Sequence, residues 1–184
     1  MLNPSDLNSQ AHIWYCLLDQ LDIAPSQAGF ERQLAQDEFE RYTRFKFERD
    51  KRIFLVAHVL LRQVLTYYTG LNGKQLEFET NRYGRPELLA TGRLPQLRFN
   101  LSHTNGMVAV IITAHQDCGV DVESVQRMND IEAISERFFA AKECQTLRSL
   151  DESDRATCFF NFWTLKESYI KARGMGLALP LGKF

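Results

Sequence analysis

The chain has 184 residues, 45% of them hydrophobic and 24% charged, with a formal net charge of −1. That length suits one domain or two small, tightly joined ones, and the composition is ordinary for a globular soluble protein. The near-zero charge excludes a global pull toward nucleic acid or anionic lipid, so any anion site must be built locally.

In chain order, residues 1–11 are polar and expected to fray. His12–Leu18 reads as a buried strand. Leu34–Phe47 is broken and aromatic, a short helix plus a turn. Asp50 is expected to cap a strong helix. Its apolar positions Ile53, Val56, Ala57, Leu60, Val64 and Tyr67 keep helical spacing, and Gly70 is its expected stop. Leu76–Glu79 reads as a short strand and Tyr83-Gly84-Arg85-Pro86 as a turn. Leu97–Leu101 and Met107–Thr113 read as strands around a turn at Ser102–Gly106. Cys118–Val125 reads as a further strand, Ile131–Phe138 as a helix and Ala141–Leu150 as a second short one. Asp154–Arg173 is a long helix ending before Gly174. No apolar run approaches the ~20 residues of a membrane span.

The last helix carries an anomaly. Ala156, Phe160, Trp163, Glu167 and Ile170 fall on one face, with a carboxylate in the middle of the apolar positions. A buried carboxylate is costly unless something compensates it. A weak internal echo is also present. One long helix starts at Asp50 and stops at Gly70, another starts at Asp154 and stops at Gly174, and Leu61-Arg62 aligns with Leu165-Lys166. Two similar halves or a coincidence of two amphipathic helices both account for it.

Asp121 and Glu123 would share one side of their strand. Taken alone they describe a solvated strand face. Together with Glu167 they suit a hard cation that takes oxygen ligands and works with substrate phosphates, and magnesium fits that description. Asn100, Ser102 and His103 end a strand, where they serve either local turn hydrogen bonds or phosphate oxygens. Arg41, Arg44, Lys46, Arg49, Lys51 and Arg52, with Arg82 and Arg85 further on, form a basic region that is either a solvated face or a hold for phosphate. Lys171 follows Glu167 by four residues, as a helix ion pair or as a charge beside a pyrophosphate. The cysteines Cys16, Cys118, Cys144 and Cys158 show no CxxC pairing or metal spacing. With no signal peptide they read as reduced thiols of a cytoplasmic protein. No GxSxG, GxGxxG or GxxxxGK[ST] motif is present.

Asn100-Leu101-Ser102-His103, Gly119-Val120-Asp121-Val122-Glu123, Arg137-Phe138-Phe139 with Glu143, and Trp163-Thr164-Leu165-Lys166-Glu167-Ser168-Tyr169-Ile170-Lys171 with Gly174-Met175-Gly176-Leu177 together resemble the 4′-phosphopantetheinyl transferases. The nearest type is the surfactin-synthetase-activating one, with two similar halves in one chain. The resemblance runs from roughly Glu38 to Leu181. It implies an α+β fold built as a pseudo-two-fold pair of α/β subdomains. Residues 1–115 would form the coenzyme A 3′-phosphate and adenine side. Residues 116–184 would carry the metal ligands and the carrier docking surface, around Ser124–Ile134. Members of this type continue for several strands beyond Gly-Leu-Ala-Leu-Pro-Leu. A chain ending at Phe184 is therefore expected to have a truncated second half with an exposed sheet edge.

The implied reaction moves the 4′-phosphopantetheine arm of coenzyme A onto a serine of an acyl or peptidyl carrier protein, releasing adenosine 3′,5′-bisphosphate. By position, Asp121, Glu123 and Glu167 would hold Mg2+, and Lys171 would contact the pyrophosphate. Asn100, Ser102 and His103 would line the coenzyme A site. Arg85 would lie near the adenine nucleotide, Arg41 toward the 3′-phosphate, and Arg52 is a second candidate there. Glu143, or Glu167 through a water, would accept the serine proton. A cytoplasmic monomer without nucleic-acid or membrane partners is expected. Two other readings stay open: another magnesium enzyme such as a phosphohydrolase, and a non-catalytic homologue that binds coenzyme A or a carrier.

Overall fold

Helix α3 (Glu48–Thr69) organises the N-terminal part of the computed structural model, which describes residues 3–89, 96–125 and 130–184. Phe47 is its N-cap, so Asp50 lies in the first turn rather than capping it, where its charge still suits the helix dipole. Ile53, Val56, Ala57 and Val64 are buried as their spacing requires. Tyr67 is 42% exposed and the neighbouring Tyr68 takes the core position. Gly70 closes the helix in the left-handed region, at φ +70°.

One face of α3 packs on a three-stranded antiparallel sheet. Strands β1 (His12–Leu17), β4 (Leu97–Thr104) and β5 (Met107–Ala114) lie in the order β1-β5-β4. Leu97, Phe99, Val110 and Ile112 form one core with Leu61, Val64 and Leu65, and Val108 packs in a second with Leu55, Val56 and Val59. β1 is an edge strand covered on one side only, so Ile13, Tyr15 and Leu17 are exposed where a buried strand was expected. The expected turn at Ser102–Gly106 is shorter, because β4 runs through Ser102 and His103 to Thr104. Residues 4–8 are ordered as a 3-10 turn rather than frayed, anchored by the buried Leu7. A hairpin of β2 (Phe78–Thr80) and β3 (Pro86–Leu88) flanks β4, and helices α1 (Gln27–Glu31) and α2 (Gln36–Thr43) flank α3.

The C-terminal part contains α4 (Ile131–Phe138), α5 (Ala141–Ser149) and α6 (Glu152–Arg173). Their core is aromatic: Phe139 stacks on Phe159 at 5.2 Å, and Trp163 on Phe159 at 6.0 Å. Residues 118–124 form no strand, contrary to expectation. Two of their backbone donors are taken by side chains of β4 instead: Val120 N–H donates to Asn100 Oδ1 at 3.0 Å and Val122 N–H to Ser102 Oγ at 3.3 Å. The segment still follows β4, without a backbone ladder.

The echo between the two long helices extends to an interaction. α3 and α6 each have 22 residues and each end at a left-handed glycine, Gly70 and Gly174. Arg62, 2% exposed, donates to Glu38 Oε2 at 2.7 Å, and Glu38 accepts the backbone N–H of Ala35 at the start of α2. Lys166, 4% exposed, lies 2.9 Å from Glu143 Oε2, and Glu143 accepts the backbone N–H of Ala140 at the start of α5. Each buried cation also donates to carbonyls just past its own helix, Gly73 O for Arg62, and Leu181 O and Phe184 O for Lys166. Each set thus ties a short helix, a long helix and the following loop to one desolvated charge. Removing one partner of such a pair strands the other charge.

Arg62→Met is expected to lower the urea-unfolding free energy by about 3–5 kcal/mol, and adding Glu38→Leu to recover part of the loss. A double variant no more stable than the single one would rule out the stranded carboxylate as the cause.

Candidate active site

The site forms where the segment after β5 crosses between β4 and α6. Gly119 sets the spacing. A Cβ there would lie 1.9 Å from Ser168 O and 2.6 Å from Ala172 N, so only glycine lets the two backbones approach this closely. Two residues on, Asp121 reaches the last turn of α6. Lys171 Nζ donates to Asp121 Oδ1 at 2.6 Å and to Ser102 Oγ at 2.9 Å, while Ser102 Oγ–H donates to the same Asp121 oxygen at 3.0 Å. The side chain of Asp121 is 6% exposed, and among the described residues its other oxygen, Oδ2, is buried without a hydrogen-bond donor.

Glu167 stands one turn before Lys171. Burial, then the charges of Asp121 and Glu123, push its carboxyl above the usual range, and Lys171 opposes them. Three carboxylates thus sense one another across a cleft of about 360 Å³, lined also by Ser102, His103 and Trp163. The expected burial of Glu167 is only partial. The fully buried charge on α6 is its neighbour Lys166, which the face pattern did not single out. Burial and the Lys171 charge hold His103 below the usual histidine range, favouring a neutral imidazole.

His103 and Glu123 also line a second cleft of about 730 Å³, between the first turns of α3 and the β4–β5 turn. Arg49 lines it, and only its place in the basic run pointed to it. Arg41 does not line it, but its guanidinium lies 5.3 Å from the ring of Phe54, which does. Asn100, Glu167 and Lys171 line a third opening of about 250 Å³ beside Tyr83–Pro86.

Three expected site residues are engaged elsewhere. Arg52 Nη2 donates to Leu18 O at 2.7 Å and Leu21 O at 2.5 Å, holding the turn after β1. Glu143 is taken by Lys166 and the Ala140 N–H and does not line the carboxylate cleft. Arg85 borders the third opening, but its guanidinium donates to Ala172 O at 2.6 Å and Asp117 Oδ1 at 3.0 Å.

Among the described residues, no three His, Cys, Asp or Glu side chains converge as a closed metal site. The donors still fit a magnesium ion. That ion binds through one or two carboxylates and keeps waters or substrate phosphates in its remaining positions. The unpartnered Asp121 Oδ2, beside carboxylates that repel each other, is the kind of atom a cation would satisfy. None of the helices is long and apolar enough to cross a membrane among the described residues.

Comparison with known proteins adds a family. Residues 117–184 match the model of the 4′-phosphopantetheinyl transferase superfamily, and residues 24–116 that of the 4′-phosphopantetheinyl transferase N-terminal region. The chain is 33% identical over 172 residues to the 4′-phosphopantetheinyl transferase HetI of Nostoc sp., covering 94% of this chain and 72% of that protein. It is 32% identical over 166 residues to the 4′-phosphopantetheinyl transferase Sfp of Bacillus subtilis, covering 84% and 71%. A solved holo-(acyl-carrier-protein) synthase from Bacillus anthracis in complex with CoA aligns with TM-score 0.44 and 14% identity, over 55% of this chain and 91% of that one, a likeness too distant to bear on this fold.

Glu167 carries a testable cost. Its carboxyl titrates higher in the fold than in the unfolded chain, so the folded state holds the proton more tightly. The ionised form therefore costs stability above the folded pKa, and the cost vanishes as pH falls below the unfolded value. Glu167→Gln is expected to raise the Tm of the metal-free protein by about 1–3 °C near pH 8 and to leave it unchanged near pH 4. A lower Tm for the variant near pH 8 would mean a favourable interaction holds the carboxylate.

Proposed function

Because the chain belongs to the 4′-phosphopantetheinyl transferase superfamily, we propose that it moves the 4′-phosphopantetheine arm of coenzyme A onto a serine hydroxyl of an acyl or peptidyl carrier protein. The observation that carries this reading is the Lys171–Asp121–Ser102 cluster, with an unpartnered Asp121 oxygen and Glu123 and Glu167 at hand. It is a site suited to a polyphosphate and a cation, and its Ser102 hydroxyl is already engaged by Lys171, Asp121 and Val122. Residues 24–116 and 117–184, matched by two different family models, support a reading as two halves divided near residue 115.

In this reading the carrier serine oxygen attacks the β-phosphorus of coenzyme A. The bond from that phosphorus to the bridging oxygen breaks, and the bridging oxygen leaves with adenosine 3′,5′-bisphosphate. The enzyme's task is then positioning and charge neutralisation rather than covalent catalysis. Lys171 stands where it would bind a pyrophosphate oxygen in place of Asp121. Magnesium held by Asp121, Glu123 and Glu167 would offset the charge that builds on the pyrophosphate. Neutral His103 and Asn100 would orient the nucleotide side as hydrogen-bond partners. Arg41, with Arg49, would face its 3′-phosphate across the larger cleft. Glu167, rather than Glu143, would take the serine proton through a water. Glu143 is already occupied by Lys166 and the Ala140 N–H, whereas Glu167 lines the carboxylate cleft. A cytoplasmic monomer belongs to the same reading. Ser124–Ile134 is the proposed carrier surface, although its residues 126–129 lie outside the described ones.

Incubating an apo-carrier with the protein, coenzyme A and magnesium, then weighing the carrier by mass spectrometry, tests this. One added phosphopantetheine is expected. Lys171→Ala is expected to lower kcat about 10²–10³-fold, and Asp121→Ala to abolish transfer. An unmodified carrier with coenzyme A still bound would make the chain a non-catalytic homologue. Phosphate release without a carrier would make it a hydrolase.

A further inference from the structure

We infer that Asn81 and Arg85, in the turn between β2 and β3, are positioning residues that hold the end of α6 so that Lys171 and Glu167 face Asp121. The inference rests on the transferase reading of the site. It gives Arg85 a role other than contact with the nucleotide.

The last carbonyls of a helix have no partners within it. At the end of α6 the turn takes one helix carbonyl and that of the capping glycine. Arg85 Nη1 donates to Ala172 O at 2.6 Å, and Asn81 Nδ2 donates to Gly174 O at 3.1 Å. A cation at a helix C-terminus is also favoured by the dipole. The carboxamide oxygen of Asn81 meanwhile accepts the backbone N–H groups of Tyr83 at 2.9 Å and Arg85 at 3.0 Å. One side chain therefore fixes the shape of the turn and the turn's hold on the helix. The contact is tight: at Gly174, φ +61°, a Cβ would lie 2.8 Å from Arg85 Cδ and 3.1 Å from Asn81 Nδ2.

Arg85 also reaches the opposite arm of the site. Its Nη2 donates to Asp117 Oδ1 at 3.0 Å, four residues before Asp121, while Nη1 holds Ala172, the residue after Lys171. The side chain is 9% exposed, and Glu87, 3.9 Å from Nε, adds to the charge offset by Asp117. A buried, forked cation already committed at both ends is built to set the distance between two backbone segments, and it has little left to offer a phosphate.

The test uses the full chain with Arg85→Gln and, as the gentler change, Asn81→Ala. Steady-state transfer to an apo-carrier gives kcat and the KM for coenzyme A. Hydrogen exchange of the metal-free, ligand-free protein reports the backbone amides of 171–174, where Gly174 N–H bonds Ile170 O at 2.9 Å. Both variants are expected to lower kcat, about 10–100-fold for Arg85→Gln, as loss of orienting partners does, with KM within about twofold. Exchange at 171–174 is expected to speed up while the α3 amides keep their protection. A large rise in KM with kcat and exchange unchanged would overturn the inference and return Arg85 to the ligand. Unchanged kinetics and exchange in both variants would overturn it too. If the wild-type protein transfers nothing, the transferase reading fails, and the exchange data still decide whether the turn holds α6.

Discussion

The ammonium of Lys171, 2.6 Å from Asp121 and 2.9 Å from Ser102, is the contact on which the site depends. It joins α6 to β4 and to the segment between them. It also offsets part of the mutual repulsion of three acidic side chains, which a fold gathers only at a cost. The surrounding structure serves that approach. Gly119 removes the Cβ that would separate the segment from α6, and Gly174 lets the helix end lie against the β2–β3 turn. Ser102, nearly buried, accepts from Lys171 and Val122 and donates to Asp121, so its hydroxyl fixes all three.

A second constraint explains why similar acidic residues have different roles. Glu38 and Glu143 each receive a backbone N–H at the start of a short helix and a buried cation from the long helix that follows. Such a carboxylate is consumed by the fold. Glu167 has no such pair among the described residues, and burial, with the charges of Asp121 and Glu123, raises its pKa. The division of labour follows from electrostatics: Glu38 and Glu143 each tie a short helix to the long helix after it, while Asp121, Glu123 and Glu167 line the cleft, Asp121 held there by Lys171.

The residues at the cleft were legible in the sequence because their signals are local. Glu167 interrupts an apolar helix face, Asp121 and Glu123 alternate, and Asn100, Ser102 and His103 end an apolar run. The long helices and their glycine stops were legible for the same reason. What stayed hidden depends on contacts distant in sequence. Residues 118–124 look like a strand, yet Asn100 and Ser102 side chains replace the ladder that would make one. Arg52 and Arg85 look like phosphate ligands, yet backbone carbonyls far along the chain take them. Lys166 stands out in the sequence only through its alignment with Arg62, because Glu143 and the carbonyls of Leu181 and Phe184 that take it lie away from it along the chain. One signal for it was available: Ala35 and Ala140 each stand three residues before a glutamate, upstream of Leu61-Arg62 and Leu165-Lys166.

The most direct test of the proposed cation–pyrophosphate site is anomalous diffraction from crystals grown with coenzyme A and manganese in place of magnesium. The account predicts one anomalous peak in bonding range of Asp121 Oδ2, with Glu123 and Glu167 around it and the pyrophosphate between the metal and Lys171. A pyrophosphate bound away from Lys171, or a metal that Asp121 does not touch, would contradict it.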